Sequence, residues 1–122
     1  MIVAGFGFRG AATVSSLRDA LGRTGGASRV RLLATASDKS RTAAFRVLAA
    51  ELGLPTEGVD SAALAAQPTQ TRSAASLEAR GTGSLAEAAA LAAAGPGARL
   101  IAARQISADG MATCALAEGR DG

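Results

Sequence analysis

Apolar residues follow two different periods along this chain, and the two periods alternate. Residues 1–6 and 30–35 are almost continuously apolar, which is typical of buried strands. After the first of them, apolar residues recur every three or four positions at Val14, Leu17 and Leu21, which indicates an amphipathic helix. The pattern predicts strands at residues 1–6, 30–35, 56–61, 99–104 and 111–117 and helices at residues 13–23, 41–52, 61–66, 76–80 and 84–94.

The order of these elements predicts an α/β domain. Strands that alternate with helices form mainly parallel sheets, so we expect a three-layer α/β/α fold with a mostly parallel sheet of about five strands. The last two strands are separated only by residues 105–110, which suits a C-terminal antiparallel hairpin. No repeat or linker divides the chain, and we interpret residues 1–122 as a single domain.

The first strand leads into a glycine-rich stretch, Gly5-Phe6-Gly7-Phe8-Arg9-Gly10. We expect its glycines to adopt positive φ in a loop, and the helix that Thr13 caps to direct its first N–H groups at the same place. A helix N-terminus attracts anions, and the Arg9 guanidinium suits a carboxylate or a phosphate. The alternative is a tight turn that only brings helix and sheet together.

The same stretch has the spacing G-x-G-x-x-G, which makes a nucleotide-binding module a further alternative. In a dinucleotide-binding fold an acidic residue about 20 positions further on contacts the ribose. The first acidic residue after the second predicted strand is Asp38, which lies beyond that position. A nicotinamide or flavin cofactor is therefore not expected.

A second polar segment follows the second predicted strand and contains Thr35, Asp38 and Lys39. Lys39 is the only lysine beside twelve arginines. A compact ammonium can act where a guanidinium does not fit, which makes Lys39 a candidate functional group. The alternatives are a solvated Lys39 and an Asp38 that simply caps the second helix.

A third segment opens the helix at residues 84–94. Gly83 and Ser84 precede its first turn, and the spacing of Ser84 and Glu87 predicts a capping box, in which hydroxyl and carboxylate each accept a backbone N–H. This N-terminus is either a second anion site or a helix cap and nothing else.

Composition excludes several classes of chemistry. The 122 residues contain no histidine and one cysteine, which excludes histidine-based acid–base catalysis, catalytic triads and an internal disulfide, and we expect no metal site and no cofactor. The net charge of +3 comes without a basic run and aromatic residues make up 2%, so nucleic acid is not an expected partner. No signal peptide is visible and no apolar run approaches about 20 residues, so we expect a cytoplasmic protein that does not bind a membrane.

Four segments, taken in order, resemble those of one family. They are Gly5-Phe6-Gly7-Phe8-Arg9-Gly10, Ala34-Thr35-Ala36-Ser37-Asp38-Lys39, Gly83-Ser84-Leu85-Ala86-Glu87-Ala88-Ala89-Ala90-Leu91, and Arg104-Gln105-Ile106-Ser107 with Met111-Ala112-Thr113-Cys114-Ala115. The chain is similar from end to end to the family formed by the cobalamin-biosynthesis protein CobE and the C-terminal domain of CbiG. The resemblance implies a small α/β/α domain in the corrin-ring pathway, acting around ring contraction.

From this resemblance we expect a protein that binds a corrin-ring precursor (a precorrin) and hands it over, with other cobalamin-pathway enzymes as partners. Such a ring carries several carboxylates, which require cations and backbone donors. The expected substrate-binding residues are Gly5, Phe6, Gly7, Phe8, Arg9, Gly10, Thr35, Asp38, Lys39, Gly83, Ser84 and Glu87. The alternative is a hydrolase or lyase of the cobalt-precorrin-5A hydrolase type, with Lys39 or Glu87 as the candidate catalytic group.

Overall fold

The computed structural model describes residues 1–70 and 84–120. Its strands are β1 (Ile2–Phe8), β2 (Val30–Ala36), β3 (Thr56–Val59), β4 (Arg99–Ile106) and β5 (Ala112–Glu118), and its helices are α1 (Val14–Arg23), α2 (Ala43–Leu52), α3 (Ser61–Ala65) and α4 (Leu85–Ala94). A short 3-10 turn, Ala27–Arg29, precedes β2. The predicted helix at residues 76–80 and the candidate residue Gly83 lie outside the described residues.

The five strands form one sheet in the order β3-β2-β1-β5-β4. β1 pairs in parallel with β2, and β2 pairs in parallel with β3. β5 is antiparallel to both β1 and β4, so β4 runs in the same direction as the first three strands. The predicted α/β fold, with its mostly parallel sheet and C-terminal antiparallel hairpin, is confirmed.

Residues of β1 alternate between the two faces of the sheet and divide the core in two. Phe6 belongs to the cluster that contains Leu17 of α1 and Phe45 of α2. Val3 belongs to the cluster on the other face, which contains Ala89 of α4. Helices cover both faces of the sheet, and three layers result.

Strand β1 and helix α4 approach each other closely at Gly5. A Cβ atom at this position would overlap the carbonyl oxygen of Ala86 and the backbone nitrogen of Ala90. The sheet-facing side of α4 is mainly alanine, and Ala86, Ala88, Ala89 and Ala90 are fully buried. Because both partners are small, the two backbones pack at a distance that larger side chains would prevent.

Most of the stretch expected to form a glycine loop is strand. β1 continues to Phe8, so Gly5 and Gly7 are strand residues and only Gly10 lies in the connection to α1. None of these three glycines has a positive φ; the described glycines that do are Gly25, Gly53, Gly95, Gly97 and Gly110. The expectation of a loop with positive φ is therefore wrong. The alternative, in which these glycines only bring helix and sheet together, applies to Gly5. The helix that packs closely against Gly5 is α4 and not α1.

We expect Gly5→Ala to destabilise the protein by about 1–3 kcal/mol, because the added methyl group forces β1 and α4 apart. Urea denaturation followed by circular dichroism measures the free energy of unfolding. Gly10→Ala is the matched control: no atom lies within 4 Å of its added Cβ, so we expect a change within about 0.5 kcal/mol. Equal losses for the two substitutions would contradict the importance of the close approach.

Candidate functional site

The C-terminal ends of β1, β2 and β4 meet at one side of the sheet, here called the carboxyl edge. Residues 8–10 leave β1 there, residues 37–40 leave β2, and residues 107–110 leave β4. Ligands of open α/β sheets bind outside such an edge. The predicted residues in these connections are Arg9, Gly10, Asp38 and Lys39.

The Lys39 ammonium lies over the ring of Phe8, with Nζ 5.0 Å from the ring centroid. The Phe8 ring stacks on Phe45 at 6.2 Å, and Phe45 contacts Phe6 edge-on. A turn after β2 fixes the lysine backbone, since the Lys39 N–H donates to the Ala36 carbonyl at 2.9 Å. A cation over an aromatic face gains about 0.5–1 kcal/mol at a partly exposed site. The only lysine therefore has a defined position at the carboxyl edge.

Arg9 follows Phe8 directly in the chain, so it lies at the same edge as Lys39. Its side chain is exposed, and its backbone N–H donates to the Met111 carbonyl at 2.9 Å. Among the described residues, Arg9, Lys39 and Arg41 form no ion pair, whereas Arg18, Arg23 and Arg99 pair with Glu51, Asp19 and Glu118. The positive charge at the carboxyl edge is consequently available to an anionic ligand.

Helix α2 begins beside these cations and has no side-chain cap. Its N-cap is Thr42, whose side chain accepts no hydrogen bond from the first turn, so the alternative that Asp38 caps this helix is wrong. Among the described helices, the other three are capped by Thr13, Asp60 and Ser84. The first N–H groups of α2 and the positive end of its dipole thus add to the positive potential of the edge.

The N-terminus of α1, expected to receive an anion, already receives one from the chain itself. Thr13 and Ser16 form a capping box, and the Ser16 hydroxyl donates to the Asp109 carboxylate at 2.6 Å. Asp109 also accepts the Ser107 hydroxyl at 2.6 Å and the Met111 N–H at 3.0 Å. These bonds lower the pKa of Asp109 from its ordinary value of 3.8 to about 2. The β4–β5 loop is thereby fastened to α1, and the Asp109 carboxylate lies beside the first turn of this helix.

Five of the expected binding residues lie within the sheet, and one of them is Phe8, the last residue of β1. Gly5, Phe6, Gly7 and Thr35 are buried, and the Thr35 hydroxyl donates to the Phe6 carbonyl at 2.9 Å. The β1–β2 ladder ends at the preceding pair, so this side-chain bond prolongs the contact between the two strands. These residues support the carboxyl edge from inside the fold.

Ser84 and Glu87 lie at the start of α4, and both are buried. The Ser84 hydroxyl accepts the Glu87 N–H at 3.3 Å, as predicted for the helix cap. The Glu87 carboxylate accepts the backbone N–H groups of Gln70 at 2.8 Å and Arg104 at 2.9 Å. Since Glu87 is 0% exposed, it has no direct access to a ligand in solution.

Sequence reasoning missed a hollow of about 400 Å³ at the opposite edge of the sheet. Its lining comes from the end of α4, the turn before β4 and the segment after α3, including Gln67, Leu91 and Pro96. Among the described residues its lining includes no charged side chain, so these residues do not offer the chemistry that an acidic ligand requires. The Gly95-Pro96-Gly97 turn was the signal available in the sequence.

The described residues also bear on metal binding, membrane insertion and cysteine reactivity. They contain no group of three cysteine, aspartate or glutamate side chains arranged to hold a metal ion. In the same part of the chain, no helix combines the length and the apolar character that a membrane span needs. Burial raises the pKa of the Cys114 thiol, which disfavours the reactive thiolate.

These features define a small three-layer α/β domain whose carboxyl edge carries the cations Arg9 and Lys39, which form no ion pair among the described residues. The model of the family described as the C-terminus of cobalamin synthesis protein G matches residues 2–117. The chain therefore belongs to the cobalamin synthesis G C-terminus family, and it is a member of a cobalamin biosynthesis protein family. No curated protein sequence matches it.

Solved structures of cobalamin-pathway proteins are similar to this chain. CobE, a protein from the cobalamin (vitamin B12) biosynthetic pathway, is 33% identical with a TM-score of 0.83, over 96% of this chain and 89% of that chain. The cobalamin biosynthesis protein chiG from Agrobacterium tumefaciens is 34% identical with a TM-score of 0.73, over 99% and 100%. A cobalamin biosynthesis protein G homologue from Sulfolobus solfataricus, 18% identical with a TM-score of 0.69 over 95% and 36%, shares the fold.

The bonds of Asp109 predict a specific acid sensitivity. Because its pKa is lower in the folded chain than in the unfolded one, its stabilising effect is complete above about pH 4 and is lost as the pH falls towards 2. Asp109→Asn should therefore flatten the fall in melting temperature between these two pH values. Thermal unfolding at a series of pH values measures the melting temperature of both proteins.

Ser107→Ala is the partial control, since it removes one of the hydroxyl donors and should weaken this acid dependence without abolishing it. Identical acid profiles for wild type and Asp109→Asn would contradict the assignment.

Proposed function

We propose that the carboxyl edge binds a carboxylated corrin-ring precursor, a precorrin, around the ring-contraction stage, and that the protein hands this precursor to other enzymes of the pathway. The single observation that carries the proposal is the Lys39 ammonium, fixed over Phe8 and without an acidic partner among the described residues, at the same edge as Arg9. Family membership supplies the pathway, and the geometry supplies the charge. Exchange between pathway enzymes implies a cytoplasmic location.

The physical basis of the proposal is charge complementarity between the carboxylates at the rim of the ring and the cations at the carboxyl edge. A precorrin is a broad ring with an apolar centre and carboxylates around it. Carboxylates bind best to charge-assisted donors, which Arg9, Lys39 and Arg41 provide, and the uncapped start of α2 adds backbone N–H groups. An open edge with separated cations suits a wide ligand better than a small enclosed pocket does.

A hydrolase or lyase is the second candidate, and Lys39 is the observation that favours it. Its amine is ordered by the turn at residue 39 and is partly exposed, so it can reach a carbonyl group of a bound ring. Glu87 does not support this candidate because its carboxylate is buried and accepts two backbone N–H groups. A nucleotide-binding module is less well supported, since Gly5 and Gly7 are strand residues.

We expect a purified precorrin to bind the protein at micromolar concentration and to change its visible absorption on binding. Lys39→Gln should weaken the affinity about tenfold, or about 1.4 kcal/mol, since one charge-assisted contact is lost. Arg31→Gln is the matched control, because Arg31 is an exposed cation near the start of β2, away from the carboxyl edge. No spectral change at tens of micromolar would refute the proposal.

Mass spectrometry of the same incubations separates binding from catalysis. For a binding and handover protein we expect the ring to keep its mass with both wild type and Lys39→Ala. A mass change that depends on Lys39 would instead establish the hydrolase or lyase candidate. A rise in melting temperature with NAD or ATP would support the nucleotide alternative.

A further inference from the structure

Glu87 is a buried carboxylate whose described bonds go to the backbone of two distant segments. It is 0% exposed, and it accepts the N–H of Gln70 at 2.8 Å and the N–H of Arg104 at 2.9 Å. Burying a carboxylate is costly unless it is hydrogen-bonded, and bonds to a charged acceptor are strong. The Glu87 carboxylate, in the first turn of α4, therefore holds the backbone at Gln70 and Arg104 in position.

The Arg104 N–H belongs to a bulge in the edge strand β4. Ala102 lies opposite Leu116 and Gln105 lies opposite Cys114, so Ala103 and Arg104 together face a single residue of β5. A bulge exposes a backbone group outside the regular ladder and changes the direction of the side chains beside it. Glu87 accepts the N–H at this irregularity, and it thereby stabilises the bulged form of the strand.

The Arg104 side chain is a half-buried cation without a partner among the described residues. On the same strand, Arg99 forms an ion pair with Glu118 at 2.9 Å. β4 runs in the same direction as β2, so Arg104 lies towards the carboxyl edge and Arg99 towards the opposite one. Three inter-strand steps separate β4 from β2, which amounts to roughly 14 Å.

We propose that Arg104 is a second cationic anchor for the acidic rim of the ligand and that Glu87 is its positioning residue. Lys39 and Arg9 hold one side of a wide anionic ring, and Arg104 holds a carboxylate on the far side. Glu87 does not touch the ligand: it fixes the bulge from which the Arg104 side chain extends. This assignment rests on the proposed function, since it concerns the same edge.

The Arg104 side chain can be tested without disturbing the bulge, because Glu87 binds its backbone N–H. The probe is uroporphyrin, a tetrapyrrole with carboxylates around its rim, titrated by fluorescence. We expect Arg104→Gln to weaken binding about tenfold, Arg104→Lys to retain most of it, and Arg99→Gln, the control on the same strand, to leave it unchanged. The Arg104→Gln protein should melt as wild type does.

Glu87→Gln tests the positioning role. The amide has one acceptor oxygen in place of two, so we expect the Gln70 or Arg104 amide to exchange with solvent at least about tenfold faster, measured by NMR. Binding of uroporphyrin should weaken as well. Combining Glu87→Gln with Arg104→Gln should add no further loss, since Glu87 acts through Arg104. A purely structural role would make the two losses additive. If Glu87→Gln does not fold, Glu87→Asp takes its place in the same cycle.

The outcomes separate this inference from the proposed function. If Lys39→Gln weakens uroporphyrin binding and Arg104→Gln does not, Arg104 is not an anchor and the proposed function stands. Additive losses in the double variant would overturn the positioning role of Glu87. If the wild-type protein binds neither uroporphyrin nor a precorrin, the proposed function fails and this inference fails with it.

Discussion

The contact between β1 and α4 is the constraint on which the rest of the fold depends. At Gly5 the backbone of the central strand approaches the backbone of the helix so closely that even a methyl group would overlap it. The core contains few large side chains, and alanine removes little apolar area from water by itself. Close approach of small residues restores dense packing, and it fixes the start of α4, from which Glu87 reaches both the β4 bulge and Gln70.

Acidic side chains near the carboxyl edge are largely used by the protein itself. Asp109 fastens the β4–β5 loop to α1, and Glu87 fixes the bulge of β4. Asp60 caps α3. A carboxylate that accepts several hydrogen bonds is a weak competitor for nearby cations, since its lone pairs are already occupied. Arg9, Lys39 and Arg41 form no ion pair among the described residues, although the whole chain carries a net charge of only +3.

The strands and helices were largely predictable because their signals are local. The spacing of apolar residues and the capping residues, such as Thr13 and Ser84, identified the strands and helices. The short connection between the last two strands identified the hairpin. The predictions failed where contacts between residues far apart in the sequence determine the local structure. Nothing near Gly5 in the sequence shows that α4, some eighty residues later, packs on it, so the glycines were taken for a loop. The same applies to Asp109, whose bond to Ser16 joins residues far apart in the chain.

The candidate site was predictable to the extent that it consists of residues following strand ends. Arg9 and Lys39 were both expected to bind the ligand, and they lie at one edge because parallel strands end there; the Phe8 ring gives the lysine its position. Glu87 shows the limit of that reasoning. Its spacing from Ser84 indicates a local cap, yet two N–H groups outside its own helix occupy its carboxylate. Since a buried acceptor must satisfy its bonds wherever donors are available, its role depends on the assembled fold and not on its neighbours in sequence. A cationic edge can therefore form where the local sequence is partly acidic, because hydrogen bonds within the fold occupy the carboxylates of Asp60, Glu87 and Asp109.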